Sequence, residues 1–125
     1  HVVNPDGTGD HATIQAAIDA AIPGDTILLG DGMFTGEGNR DLDYEGKAIT
    51  IRSQSGDPEL CYINCEGYAD DAHFGFIFRS NEGNDSVQDG VGINQGYFTS
   101  LDDDQYCEVH AAGITCSGAS PTITN

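Results

Sequence analysis

The stretch ITIRSQSGDPELCYINCEG, residues 49–67, reads as a short strand, a polar corner, a second short strand and a Glu-Gly corner. The order returns slightly shortened in FIFRSNEGNDSVQDG, residues 76–90, so that IRSQSG at 51–56 is echoed by FRSNEG at 78–83. In this alignment Ile63 matches Val87, and Arg52 matches Arg79. GITCSGASPTITN, residues 113–125, begins a third round after an insertion at 97–110, and TILLGDGMFTGEG, residues 26–38, is an earlier, tighter one. Units of about 20–27 residues that carry several short strands each belong to a β-solenoid, because one unit cannot bury its own apolar face. Stacking at the ~4.8 Å strand spacing would align Ile, Val and Phe from successive coils into one core with parallel pairing. A sandwich or barrel also uses many short strands. No Asn-Gly or Asp-Gly pair here joins two alternating strands as a hairpin would, which favours the solenoid.

Only one segment has helical spacing. In DHATIQAAIDAAIPG, residues 10–24, Ile14, Ala17, Ile18, Ala21 and Ile22 form a single apolar stripe. Asp10 or Thr13 can cap its start, and Pro23-Gly24 stops it. An amphipathic helix ahead of the first strand can cover the open first coil. The expected organisation is one domain over 1–125, with an N-terminal strand and capping helix in 1–24. About three to four coils then fill 25–125, the last incomplete.

Composition narrows the function classes. Twenty-one acidic residues against four basic ones give a formal charge of −17, which argues against nucleic acid or an anionic membrane as partner. A polyanionic sugar would be repelled unless a cation bridged the two. No apolar run approaches the ~20 residues of a membrane helix. Four cysteines with few lysines and much Gly fit an extracellular setting. The start at His1, with no Met, reads as a mature chain whose leader has been removed.

VNPDGTGDHATIQAAIDAAIPGDTILLGDGMFTG, residues 3–36, resembles the N-terminal cap and first coil of right-handed parallel β-helix proteins, the pectin-lyase-like superfamily. GNRDLDYEGKAITIRSQSGDP, CYINCEG and GITCSGASPTITN resemble the repeats of secreted bacterial β-helix proteins. The resemblance implies an all-β solenoid with an N-terminal capping α-helix, and it rests on structural residues. Pectin methylesterases of this superfamily use a Gln-Asp-Thr segment and an Asp-Phe-Ile-Phe-Gly segment. Here the nearest string is Gly75-Phe76-Ile77-Phe78-Arg79, which lacks the nucleophilic Asp, and no Gln-Asp-Thr occurs. The Asn-Thr-Asp and Gly-His-Gly patterns of polygalacturonases are absent too. A non-catalytic protein is therefore expected, with no assigned catalytic residue.

Individual residues carry weaker signals. Asp102-Asp103-Asp104 offer oxygens of the kind Ca²⁺ takes but match neither an EF-hand nor a nonapeptide calcium repeat, so solvated loop charge is the default and no cofactor is expected. Arg52 and Arg79, if stacked, would form a small cationic ladder, against which charge balance is the plainer reading. The histidines and cysteines, His73, Cys107, His110 and Cys116 among them, match no zinc spacing. For Cys61, Cys65, Cys107 and Cys116 disulfides are the expected use. Cys61 and Cys65 lie about 13 Å apart in an extended strand, against a Cα limit of about 7 Å, so pairing across coils, such as Cys65 with Cys116 and Cys61 with Cys107, is preferred. Asn84-Asp85-Ser86 is a glycosylation sequon. His1 at the chain start resembles the copper-binding histidine of oxidative polysaccharide enzymes, but the repeat pattern places no second histidine beside it.

The chain stops inside the third round, at Pro121, Thr122, Ile123, Thr124 and Asn125, without a second cap. Either it is the N-terminal portion of a longer β-helix, or another copy completes the open coil. The latter gives a filament when the contact does not close. The expectation is a secreted structural β-helix whose partner is itself through this end. The alternative is a carbohydrate-binding or carbohydrate-active β-helix, with Tyr62, Phe76, Tyr97 and Phe98 available for sugar stacking.

Overall fold

The computed structural model describes residues 1–66, 73–94, 114–116, 119 and 121–124. The chain forms β1 (Val2–Val3), α1 (Ile14–Ala20), β2 (Thr26–Leu29), β3 (Gly32–Phe34), β4 (Leu42–Asp43) and β5 (Thr50–Ser53). It continues with β6 (Cys61–Asn64), β7 (Phe76–Phe78), β8 (Val87–Asp89), β9 (Gly92–Asn94), β10 (Ile114–Cys116) and β11 (Thr122–Thr124). The strands make three sheets, ordered β1-β2-β5-β8-β11, β3-β6-β9 and β4-β7-β10. Every ladder between these strands is parallel, which removes the hairpin-built alternative for the described residues. A parallel pair needs a long crossover, usually a helix. Here the crossover from β2 to β5 consists of β3 and β4, and the one from β5 to β8 consists of β6 and β7. The fold is thus all-β and parallel, with one short helix.

The register corrects the repeat read from sequence. Ile27 faces Ile51, Ile51 faces Gln88, and Gln88 faces Ile123. The rounds therefore lengthen from 24 residues to 37 and 35, outside the expected 20–27. The 27-residue echo of IRSQSG in FRSNEG is not a stacking register: β5 belongs to the first sheet and β7 to the third. Nor does Ile63 stack on Val87; its neighbours are Phe34 and Ile93. Arg52 lies between Leu28 and Asp89, so the Arg52–Arg79 ladder does not exist. What the two motifs share is local. Each has an inward apolar residue of a strand, Ile51 or Phe78, followed by an exposed Arg.

Alternation places the core. Ile27 and Leu29 of β2, Ile51 of β5, Phe34 of β3, Ile63 of β6, Leu42 of β4, and Phe76 and Phe78 of β7 are all fully buried. Tyr44 joins them, its ring 4.6 Å from Phe78 and 6.1 Å from Phe76, and its hydroxyl donates to the Val87 carbonyl at 2.6 Å. Polar residues enter the interior with partners. Gln88, in the column of isoleucines, donates from Nε2 to the Val91 carbonyl at 2.8 Å. The Ser86 hydroxyl donates to the Lys47 carbonyl at 2.8 Å. Buried Glu82 accepts from the Ser80 and Gly46 amides at 2.8 and 2.9 Å, tying the corner after β7 to the corner after β4.

The helix is shorter than its pattern. Thr13 is the N-cap, accepting from the Ala16 amide at 3.2 Å, while Asp10 instead accepts from the Val2 amide at 2.9 Å. Ile14, Ala17 and Ile18 are buried, and the helix packs on β4 and β1. It ends before Pro23 because Ala21 is already extended, and Lys47 Nζ donates to the Ile18 and Asp19 carbonyls at 2.6 and 3.0 Å. Ile22 therefore leaves the apolar stripe and is 66% exposed.

Candidate functional site: a polar groove beside β4

Asp41 and Asp43 flank inward Leu42, and the period-2 alternation of a strand puts both carboxylates on the outer face. Asp41 sits at φ 52°, a left-handed conformation that Asp tolerates better than most residues. Its carboxylate grips the segment entering β7: Oδ1 accepts from the Phe74 amide at 2.7 Å and Oδ2 meets His73 Nδ1 at 2.6 Å. An ionised carboxylate only accepts, so Nδ1 carries the proton. Asp43 Oδ2 pairs with Arg79 Nε at 2.9 Å, and its Oδ1 accepts from the Glu45 amide at 2.8 Å. Arg79 is thus a charge-balancing residue of the third sheet.

The helix supplies the facing wall. Gln15 bonds the Asp43 backbone in both directions, Oε1 accepting from the amide at 3.0 Å and Nε2 donating to the carbonyl at 3.1 Å. The Gln15 amide donates to the Gly38 carbonyl at 2.8 Å, and the Ile14 amide donates to Asn39 Oδ1 at 3.0 Å. On the other side Arg40 reaches the Cys65 carbonyl at 3.1 Å. Between these groups lies a cavity of about 460 Å³ lined by Gln15, Glu37, Arg40, Asp41, Asp43 and His73. At its rim, the hydrogen bond with Asp19 holds the Glu45 carboxyl above its ordinary range, while the bonds from Glu45 and Gln15 hold Asp19 below. Carboxylates, a guanidinium, an amide and an imidazole together can donate to and accept from a ligand rich in hydroxyls. The Asp41–His73 pair can also hold and orient a proton.

Few of the residues singled out in the sequence come to this groove. Cys61 and Cys65 point into the core around Ile63 and carry free thiols. Burial, with a smaller contribution from a nearby Asp, pushes both thiols up to about 12. The expected partners lie outside the described residues, Cys107 entirely and Cys116 by its side chain. Asp102, Asp103, Asp104, Asn125, Tyr97 and Phe98 also lie outside them. Among the described residues no group of three or more His, Cys, Asp or Glu converges on a point that could hold a metal, and no helix is long and apolar enough to cross a membrane. Asn84 is exposed in the turn before β8, and its carbonyl accepts from the Thr122 hydroxyl at 2.8 Å. Thr122, Ile123 and Thr124 are paired with β8, and Pro121 is half-buried just before them. Phe76 is core and Tyr62 half-buried on β6. Apart from His73, the groove residues carry no motif, because β4 is only two residues long; the alternation Asp41-Leu42-Asp43-Tyr44 is the available signal. The structure also sets a second histidine beside His1, namely His11.

Compared with protein-family models, curated proteins and solved structures, the chain finds no match.

Proposed function

We propose that the chain is a right-handed parallel β-helix of the pectin-lyase-like kind, extracellular, and that its groove beside β4 binds a carbohydrate. The cyclic order of the three parallel sheets supports the fold reading. The function rests on one observation: the 460 Å³ cavity whose walls are Gln15, Glu37, Arg40, Asp41, Asp43 and His73. Three carboxylates there, on a chain of net charge −17, disfavour polyuronates and favour neutral or amine-bearing sugars. The Asp41–His73 pair serves to orient ligand hydroxyls, and no bond cleavage is assigned to it. The test is calorimetric titration against a panel of neutral, amino and uronic oligosaccharides, with product analysis with and without Ca²⁺. Binding of a neutral or amino sugar that Asp43→Asn and Arg40→Ala each weaken at least tenfold is the expected result. Binding unchanged in both variants, or absent across the panel, refutes the groove. Released products would shift the reading to the carbohydrate-active form.

The assembly reading rests on the parallel ladders themselves. β9, β10 and β11 stand last in their sheets among the described residues, and a following segment or a second copy can continue them. Electron microscopy of the purified chain decides: regular filaments support self-association, and dispersed monomers refute it.

A further inference from the structure

The charges that line the groove beside β4 are not equally open to a ligand. Each oxygen of its two aspartates already accepts a bond from the protein: Asp41 from the Phe74 amide and His73, Asp43 from the Glu45 amide and Arg79. Gln15 is engaged by the Asp43 backbone. Glu37 differs. It lines the same groove, yet among the described residues no hydrogen bond or ion pair engages its carboxylate. The four basic side chains of the sequence are committed elsewhere. Arg40 donates to the Cys65 carbonyl, Lys47 to the Ile18 and Asp19 carbonyls, and Arg79 to Asp43. Arg52 stands on the first sheet between Leu28 and Asp89.

The backbone fixes where Glu37 stands. Residues 36–39 form a tight turn, closed by the Asn39 amide donating to the Gly36 carbonyl at 3.1 Å. Glu37 and Gly38 are its central residues, and Gly38, at φ 87°, takes the left-handed place that a type II turn gives to glycine. Two bonds fasten the turn to α1. The Gln15 amide donates to the Gly38 carbonyl at 2.8 Å, and the Ile14 amide donates to Asn39 Oδ1 at 3.0 Å. Asn39 Nδ2 also donates to the Thr35 carbonyl at 3.1 Å. A side chain carried on such a turn meets a ligand without the cost of ordering its loop.

An ionised carboxylate accepts and cannot donate. The complement that Glu37 lacks is therefore a donor, and a charged donor makes a stronger bond to a carboxylate than a hydroxyl does. We propose, resting on the carbohydrate reading of the groove, that Glu37 is its specificity-determining residue and selects a sugar bearing a protonated amine. Arg40, whose guanidinium has N–H groups beyond the one bonded to Cys65, takes hydroxyl or ring oxygens of the same sugar.

The test compares two tetrasaccharides of identical linkage, one of glucosamine and one of glucose, which differ only in carrying an ammonium or a hydroxyl at the second carbon. Both are titrated calorimetrically into the full chain at about pH 6, where the sugar amines are protonated. The parent should bind the glucosamine tetramer at least about fivefold more tightly. Glu37→Gln keeps the size of the side chain and breaks no bond within the protein, so it should fold as the parent does. It should bring the two affinities within about twofold of each other by weakening the glucosamine tetramer alone. Asp31→Asn removes one charge from an exposed residue outside the groove and should keep the preference. That control separates Glu37 from the general attraction of a cationic sugar to a chain of net charge −17. A preference that persists in Glu37→Gln, or falls as far in Asp31→Asn, overturns the proposal. So does equal or weaker binding of the glucosamine tetramer by the parent, which leaves the groove standing as a site for neutral sugars. Binding of neither tetramer overturns it together with the groove reading.

Discussion

Replacing Tyr44 with Phe isolates one buried hydroxyl. Tyr44 is fully buried against Phe76 and Phe78, so the ring of Phe keeps the packing. What is lost is the 2.6 Å bond from the hydroxyl to the Val87 carbonyl, which joins the residue after β4 to the first sheet. Removing one partner of a buried hydrogen bond costs about 1–3 kcal/mol. At this chain length that lowers Tm by roughly 3–5 °C for each kcal/mol. The pH dependence gives a sharper check. Burial, and to a lesser degree the Glu82 charge, raise the Tyr44 pKa well above 10.0. The native state therefore keeps its proton where the unfolded chain loses it. The contribution is fully present below pH 10 and is lost as pH rises further. At pH 11 ionisation of the unfolded chain takes back about 1.4 kcal/mol. Urea unfolding of parent and Y44F, followed by circular dichroism from pH 7 to pH 11, should show the parent more stable at pH 7 by about 1–3 kcal/mol. The gap should narrow by about 1.4 kcal/mol at pH 11. The alkaline contributions of Cys61 and Cys65 cancel, being common to both proteins. A gap absent at pH 7, or constant up to pH 11, would refute the buried, bonded hydroxyl.

Two further outcomes follow from the interior. Gly92 packs against Tyr62 and the Pro58 backbone, and a Cβ there would strike the Pro58 carbonyl, which cannot yield like the tip of a side chain. G92A should therefore cost at least about 1–3 kcal/mol in urea unfolding, while G83A, whose Cβ meets nothing within 4 Å, should change stability by less than about 0.5 kcal/mol; equal effects would contradict the placement of β9. In a chain carrying Cys107→Ser and Cys116→Ser, the buried thiols of Cys61 and Cys65, with pKa values near 12, should resist Ellman's reagent at pH 8. Both should react in denaturant, and rapid native labelling of either would show that β6 is not buried as described.

The helix stripe and most strands were legible because each rests on a local period. Ile14, Ala17 and Ile18 follow the helical spacing, and Ile27, Leu29, Ile51 and Ile63 follow the period of two. Which strand stacks on which was not legible, since register depends on corner lengths that differ from round to round. Arg52 and Arg79 share only a local pattern, each following an inward apolar residue, whereas Ile51 stacks between Ile27 and the polar Gln88. A buried Gln in an isoleucine column hides the repeat; its bond to Val91 makes the exception tolerable. Short strands defeated the pattern as well: β3 and β4 have three and two residues, too few for a periodicity to show. The contact between His1 and His11 had no sequence signal, because the approach of His11 to His1 is set by the β1–β2 pairing and the Val2–Asp10 bonds.

Groove and helix are one mechanical unit. A seven-residue helix is too short to persist alone in water, so its order comes from what it touches. The Gly38 carbonyl, Asn39 side chain and Asp43 backbone accept or donate at Ile14 and Gln15. Gly38 and Asp43 also line the groove, together with Gln15. A ligand that bridges Gln15 and Asp43 therefore binds only the state in which the helix is docked. By linkage it must stabilise that docking, by about 2.7 kcal/mol at a hundredfold excess over Kd. Thr13→Ala, which removes the N-cap at a residue that does not itself line the groove, should then weaken ligand binding as well as the helix. A loss of helix stability with unchanged affinity would separate the two and place the ligand elsewhere.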